Sequence, residues 1–200
     1  MAVPLVRVVA VAGGVRAALW LAQRKRTKTV VLVGPPASGK TTLARFLTEG
    51  HERALPAGPT LVTKAYTGLI PGSKRIVQAF DMPGADGLAT WKASIDKIDP
   101  DFVCLVLDFN RLVLDDDYLE GADRAARHVK AMVKRRRATA LVLTHTDLQA
   151  TTAAEPASAL EDRRAHLVID RLGAETRAAG SLADHPGAID LRDSIWRWLG

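Results

Sequence analysis

The residues best suited to chemistry are contiguous: Gly34-Pro35-Pro36-Ala37-Ser38-Gly39-Lys40-Thr41. Their spacing, G-x-x-x-x-G-K-S/T, is that of a loop built to hold a polyphosphate. Glycines let backbone N–H groups turn inward as an anion nest, and a helix beginning at its end adds partial positive charge. Gly34, Ala37, Ser38, Gly39, Lys40, Thr41 and Thr42 are therefore the candidate phosphate-binding residues here. Lys40 would bridge the terminal phosphates, which also makes it a candidate catalytic residue, and the Thr41 hydroxyl is placed to coordinate Mg²⁺. Such an ion needs a carboxylate at the end of a neighbouring strand. Asp81 stands there, directly after Ile76–Phe80, and opens Asp81-Met82-Pro83-Gly84.

Strand, loop and helix must meet at this loop, and the flanking residues agree. Thr29–Val33 is a short β-branched run ending at Gly34, and Thr41–Leu47 is helix-compatible. Thr60–Ile70, Arg75–Phe80, Phe102–Leu107 and Ala138–Leu143 also read as strands, the first two paired as a hairpin around Pro71-Gly72. Helical patterns cover Gly87–Lys97, Asp117–Arg136, Pro156–Leu172 and Ile189–Leu199, the last with Leu191, Ile195 and Trp198 on one face. Gly173–Gly187 gives no clear pattern. The alternation predicts an α/β fold: a doubly wound, mainly parallel sheet of about six strands, one antiparallel edge strand, and helices on both faces. Two parts are expected, an N-terminal hydrophobic and basic extension over 1–28 and one nucleotide-binding domain over 29–200.

With a phosphate loop beside it, Asp81-Met82-Pro83-Gly84 resembles the D-x-x-G element of the Ras-like small GTPase superfamily, a branch of the P-loop NTPase fold. That resemblance implies GTP or GDP as ligand, Mg²⁺ as cofactor, and a protein effector or regulator as partner. It implies that the Gly84 N–H contacts the γ-phosphate, making Gly84 the second candidate catalytic residue. It also calls for a threonine that reaches Mg²⁺ only with a γ-phosphate present; Thr60, in Gly58-Pro59-Thr60, has suitable spacing, with Thr63 as the fallback. The family reads guanine with an N/T-K-x-D element, matched here by Thr144-His145-Thr146-Asp147. Asp147 would accept from the base N1–H and amine, while Thr144 and His145 replace the usual Asn and Lys and His145 would stack on the base. The last family element falls on Gly180-Ser181-Leu182-Ala183, assigning Ser181 and Leu182 to the base pocket. Asp-x-Pro-Gly, the Pro-Thr segment and Trp91 look most like the Arf branch and the β subunit of the signal-recognition-particle receptor.

The residue after the D-x-x-G glycine is commonly a glutamine that orients water. Here it is Ala85, so intrinsic hydrolysis is expected to be slow, at or below roughly 10⁻⁴ per second. Two other functions compete. An ATP-dependent small-molecule kinase shares the loop and would need a lid such as Arg163, Arg164 and Arg171. A non-hydrolysing pseudo-GTPase would hold nucleotide as a structural part of a complex.

The chain has 200 residues and a formal net charge of +6, enough length for one ordinary core without disulfides. No Asp or Glu precedes Glu49, whereas six Lys or Arg precede the phosphate loop. Residues 2–22 approach the ~20 that span a bilayer, and the basic run Arg24-Lys25-Arg26 follows like a cytoplasmic flank. Arg7 and Arg16 offset most of the apolar gain there. A cytoplasmic protein, with membrane contact through this segment, is the expectation. Lys134-Arg135-Arg136-Arg137 is read as a solvated helix end; no aromatic residues interleave with it to stack on bases, so no nucleic-acid partner is expected. The lone Cys104 lies in an apolar run and reads as a buried, inert thiol.

Overall fold

The computed structural model describes residues 27–49, 62–70, 75–84, 87–133, 138–148, 156–183 and 185–199. The 2–22 segment, Thr60, Pro71-Gly72, Ala85 and the Lys134–Arg137 cluster lie outside the described residues.

Strand β1, Thr27–Val33, is buried from Val30 onward, as expected of a strand covered on both faces. Its side chains alternate between two cores: Val30 and Leu32 enter one, Val31 and Val33 the other. The same alternation divides β4, Phe102–Asp108, and β5, Ala138–Thr144. Helices α1, Lys40–Glu49, and α7, His185–Leu199, close the first face through Leu43, Leu47, Leu191 and Ile195. The other face is closed by α2 (Gly87–Ile98), α3 (Phe109–Leu114), α4 (Asp116–Met132), α5 (Pro156–Glu161) and α6 (Arg163–Leu172).

Strands β2, Lys64–Leu69, β3, Ile76–Asp81, and β6, Thr176–Ala179, complete a six-stranded sheet in the order β2-β3-β1-β4-β5-β6. β2 runs antiparallel to β3, and the remaining pairs are parallel. The doubly wound sheet with one antiparallel edge strand is thus as the sequence predicts. β6 falls in the segment that gave no clear pattern. The expected helix over 156–172 is two helices, because Asp162 accepts from the Arg164 and Ala165 N–H groups and caps a new start at α6. The helix expected from Asp117 is preceded by the unforeseen α3; Asp108 caps α3 and Asp115 caps α4. Cys104 is buried, and burial pushes its thiol up to about 12. Among the described residues no helix is long and apolar enough to cross a membrane.

Candidate nucleotide site

In a parallel sheet, ligands bind beyond the carboxyl ends of the strands. There the loops after β1, β3, β5 and β6 carry the residues singled out by the sequence. Gly34 leaves β1 at φ +149, and a Cβ would lie 2.1 Å from the Val106 carbonyl oxygen, so only glycine lets the loop turn this close to β4. Ala37 at φ +60 and Gly39 at φ +81 alternate with neighbours that are not at positive φ, an alternation of the kind that can point successive N–H groups into a concavity. Pro35 and Pro36 carry no N–H, so the donors of this nest start at Ala37.

Lys40 is 6% exposed and donates to the Pro35 carbonyl at 2.6 Å, with the Ser38 hydroxyl at 3.4 Å. Burial lowers its ammonium to about 8, against an upward pull from the Asp81 carboxylate. An anion brought beside this cation would offset its lost hydration. One residue on, the Thr41 hydroxyl donates to Asp81 Oδ2 at 2.6 Å. The pairing follows from register: Asp81 lies opposite Leu32 in the β1–β3 ladder, just below the loop. A hydroxyl and a fully buried carboxylate are hard oxygen donors and fit Mg²⁺, which keeps water and phosphate in the rest of its shell. Among the described residues there is no cluster of three or more His, Cys, Asp or Glu that could hold a metal ion.

The turn after Asp81 is pressed onto the phosphate loop. A Cβ on Gly84 would stand 2.7 Å from the Pro36 nitrogen and 2.9 Å from the Pro35 carbonyl carbon. Trp91 of α2 holds that turn by donating its indole N–H to the Pro83 carbonyl at 3.0 Å. The fallback Thr63 is exposed, its hydroxyl 3.5 Å from Met82 Sδ.

At the far side, Asp147 stands exposed on a single 3-10 turn, Thr146–Leu148. Thr144 is fully buried, and its hydroxyl sits 2.9 Å from the Ser38 carbonyl and 3.1 Å from the Leu107 carbonyl, which ties the phosphate loop to the end of β5. His145, expected to stack, places Nδ1 3.0 Å from Thr144 Oγ1 and 3.5 Å from Asp108 Oδ2. Ser181 is also buried, and its hydroxyl accepts from the Ala183 N–H within a local turn. That turn brings Leu182 beside Gly39, 3.4 Å from where a Cβ would be. Arg164 and Arg171 pair with Asp116 and Asp123 of α4.

Asp108 escaped the sequence reading although it ends an apolar strand as Asp81 does. Tyr118, whose phenol oxygen accepts from the Asp108 N–H at 2.9 Å, gave no local signal.

No protein-family model matches the sequence, and no curated protein matches it. Solved structures do resemble it. A chain of the mammalian SRP receptor superposes with a TM-score of 0.64 at 13% identity, over 85% of this chain and 99% of that one. Methanosarcina barkeri Roco2 RocCORdC bound to GDP gives 0.54 at 18% identity, over 87% of this chain and 49% of that one. What chains share at such identities is a backbone: this protein has the P-loop α/β fold of the Ras-like small GTPases.

Proposed function

We propose that the chain binds GTP and GDP with Mg²⁺ and serves as a slow nucleotide switch. The observation that carries this is the Thr41–Asp81 contact of 2.6 Å beside the buried Lys40 ammonium, at the mouth of a backbone nest. In this assignment Thr41 and, through water, Asp81 hold the ion, Lys40 neutralises the terminal phosphates, and the Gly84 N–H marks the γ-phosphate. Bound Mg²⁺ supplies charge neutralisation between the phosphates. Thr60 remains the proposed switch threonine. Ala85 has no group to orient water, so conversion is slow or depends on a protein regulator. Asp147 reads guanine. The Roco2 structure holds GDP, which supports a guanine nucleotide over an adenine one. Residues 2–22 with their basic flank contact the cytoplasmic face of a membrane, where each cation near the surface adds about 1 kcal/mol of attraction.

Calorimetric titration of the full chain with GDP, ADP and xanthosine diphosphate in Mg²⁺ tests the assignment. Wild type should prefer GDP, and Asp147→Asn should move the preference toward the xanthosine nucleotide, because an amide reverses one donor–acceptor pairing. Equal affinity of wild type for ADP and GDP would favour the kinase instead.

A further inference from the structure

Strand β2 is placed by something other than its own side chains. None of its six residues is buried: Tyr66 and Gly68 are half-buried and the other four are exposed, Leu69 at 66%. It lies at the edge of the sheet, beside β3. A slide of two residues along β3 would return every side chain to the same face, so burial barely separates the shifted registers from the native one. We infer that Gly68, seated beneath the backbone of Thr48, locks β2 in a single register, and that this register is the same with a diphosphate or a triphosphate bound. The nucleotide part rests on the binding proposed above; the lock itself does not.

The lock follows from a close approach. A Cβ on Gly68 would lie 2.2 Å from the Thr48 carbonyl oxygen, 2.6 Å from its Cα and 2.7 Å from its carbonyl carbon. All three are backbone atoms near the end of α1, so no change of rotamer relieves them. The Thr48 side chain is turned back along the helix, its hydroxyl donating to the Ala44 carbonyl at 2.8 Å, and it is the backbone that meets the strand. α1 is anchored: it begins at Lys40 in the phosphate loop, and Leu43, Ala44 and Leu47 are buried in the core. A slide of two residues would set Tyr66 or Ile70 beneath Thr48. A slide of one would set Thr67 or Leu69 there and turn the faces over. Each of the four carries the Cβ for which there is no room.

The register decides what stands at the metal end of β2. With Gly68 opposite Val77, Lys64 is opposite Asp81, and Thr63 comes directly before it with its hydroxyl 3.5 Å from Met82 Sδ. A two-residue slide would bring Tyr66 or Val62 opposite Asp81 instead. Gly68 thus acts from about 13 Å away, four residues along the strand. It is a positioning residue for the stretch that carries Thr60 and Thr63, which enters the site from a fixed point. A third phosphate is then sensed by that stretch and by the Asp81–Gly84 turn, and not by travel of the edge strand.

Disulfide trapping in the full chain reads the register. Gln78→Cys is combined in turn with Thr67→Cys, at its native partner, and with Ala65→Cys or Leu69→Cys, at the positions that would face it after a two-residue slide either way. Cysteines directly opposite lie roughly 4.5–5.5 Å apart and can bridge, whereas diagonal ones, roughly 7–8 Å apart, cannot. Cys104 is buried with its thiol pushed up to about 12, so it stays silent. Under mild oxidation the native pair should close at least roughly tenfold faster than either diagonal pair, without nucleotide, with GDP and with a non-hydrolysable GTP analogue. A diagonal pair that closes as fast as the native one without nucleotide overturns the lock; one that does so only with the triphosphate overturns the constancy of register. Gly68→Ala in the same three backgrounds assigns the cause. A diagonal pair should then close at least roughly tenfold faster than it does with Gly68, and unchanged rates in all three overturn the role of Gly68. Should Gly68→Ala not fold, the three pairs that keep Gly68 still decide the register. Failure of the protein to bind either nucleotide overturns the nucleotide assignment, and the nucleotide-free pairs alone then decide the lock.

Discussion

Gly84 shows how far a single residue can be committed by its surroundings. Its missing side chain lets the Asp81–Gly84 turn lie against Pro35 and Pro36, and the atoms a Cβ would meet are backbone atoms that cannot swing aside. Gly84→Ala should therefore push the turn off the loop, at roughly 1–3 kcal/mol of overpacking. Because that turn carries the N–H assigned to the γ-phosphate, affinity for a non-hydrolysable GTP analogue should fall at least tenfold while GDP affinity changes little. Competition binding measures both; equal loss for the two nucleotides would show that the turn does not sense the third phosphate. This contact was half legible in the sequence. The D-x-x-G spacing marks Gly84 as special, but its neighbours Pro35 and Pro36 lie 48 and more residues away, and no local pattern announces the approach. The same holds for Thr144, whose strand-end position is plain and whose partner in the loop is not.

At the scale of elements, legibility follows how each one is stabilised. β1, β4 and β5 read clearly because residues buried on both faces leave nearly continuous apolar runs, and β3 shows the alternating burial of a strand with one face more covered than the other. β6 is Thr-Arg-Ala-Ala with one buried residue, Ala178; it is a strand through backbone pairing with β5, which composition does not encode. Helix starts were obscured by excess of one signal. Asp115, Asp116 and Asp117 are all good N-caps, and only the structure shows that Asp115 accepts from Tyr118. Asp162 is a cleaner case, since its carboxylate alone serves the Arg164 and Ala165 N–H groups at 2.7 and 3.4 Å. Replacing it with Ala should cost about 1 kcal/mol, seen as a melting temperature roughly 2–4 °C lower. Release of bound nucleotide should not change, because α5 and α6 pack on the face opposite α1. A larger fall would mean that the break at Asp162 organises more than its own helix.

For the molecule as a whole, the consequential fact is that the site belongs to no single element. β1 supplies the loop, β3 the Asp81 carboxylate, β4 Asp108, β5 Thr144 through Asp147, and β6 the turn that brings Leu182 to Gly39. Unfolding scatters these groups, so a ligand held by them binds the native state alone and stabilises all of it. At a hundredfold excess over its dissociation constant, GDP with Mg²⁺ should add about 2.7 kcal/mol, or roughly 5–10 °C in a chain of this size. Lys40→Ala separates ligand linkage from intrinsic stability. The variant removes an ammonium that burial disfavours, so its melting temperature without nucleotide should stay near that of wild type. With GDP and Mg²⁺ at the same concentration its upward shift should be lost, because the phosphates then face a nest without its cation. A calorimetric melt of both proteins, with and without nucleotide, gives four numbers. If the two proteins shift equally with nucleotide, the phosphates do not lie at Lys40 and the loop is not their site.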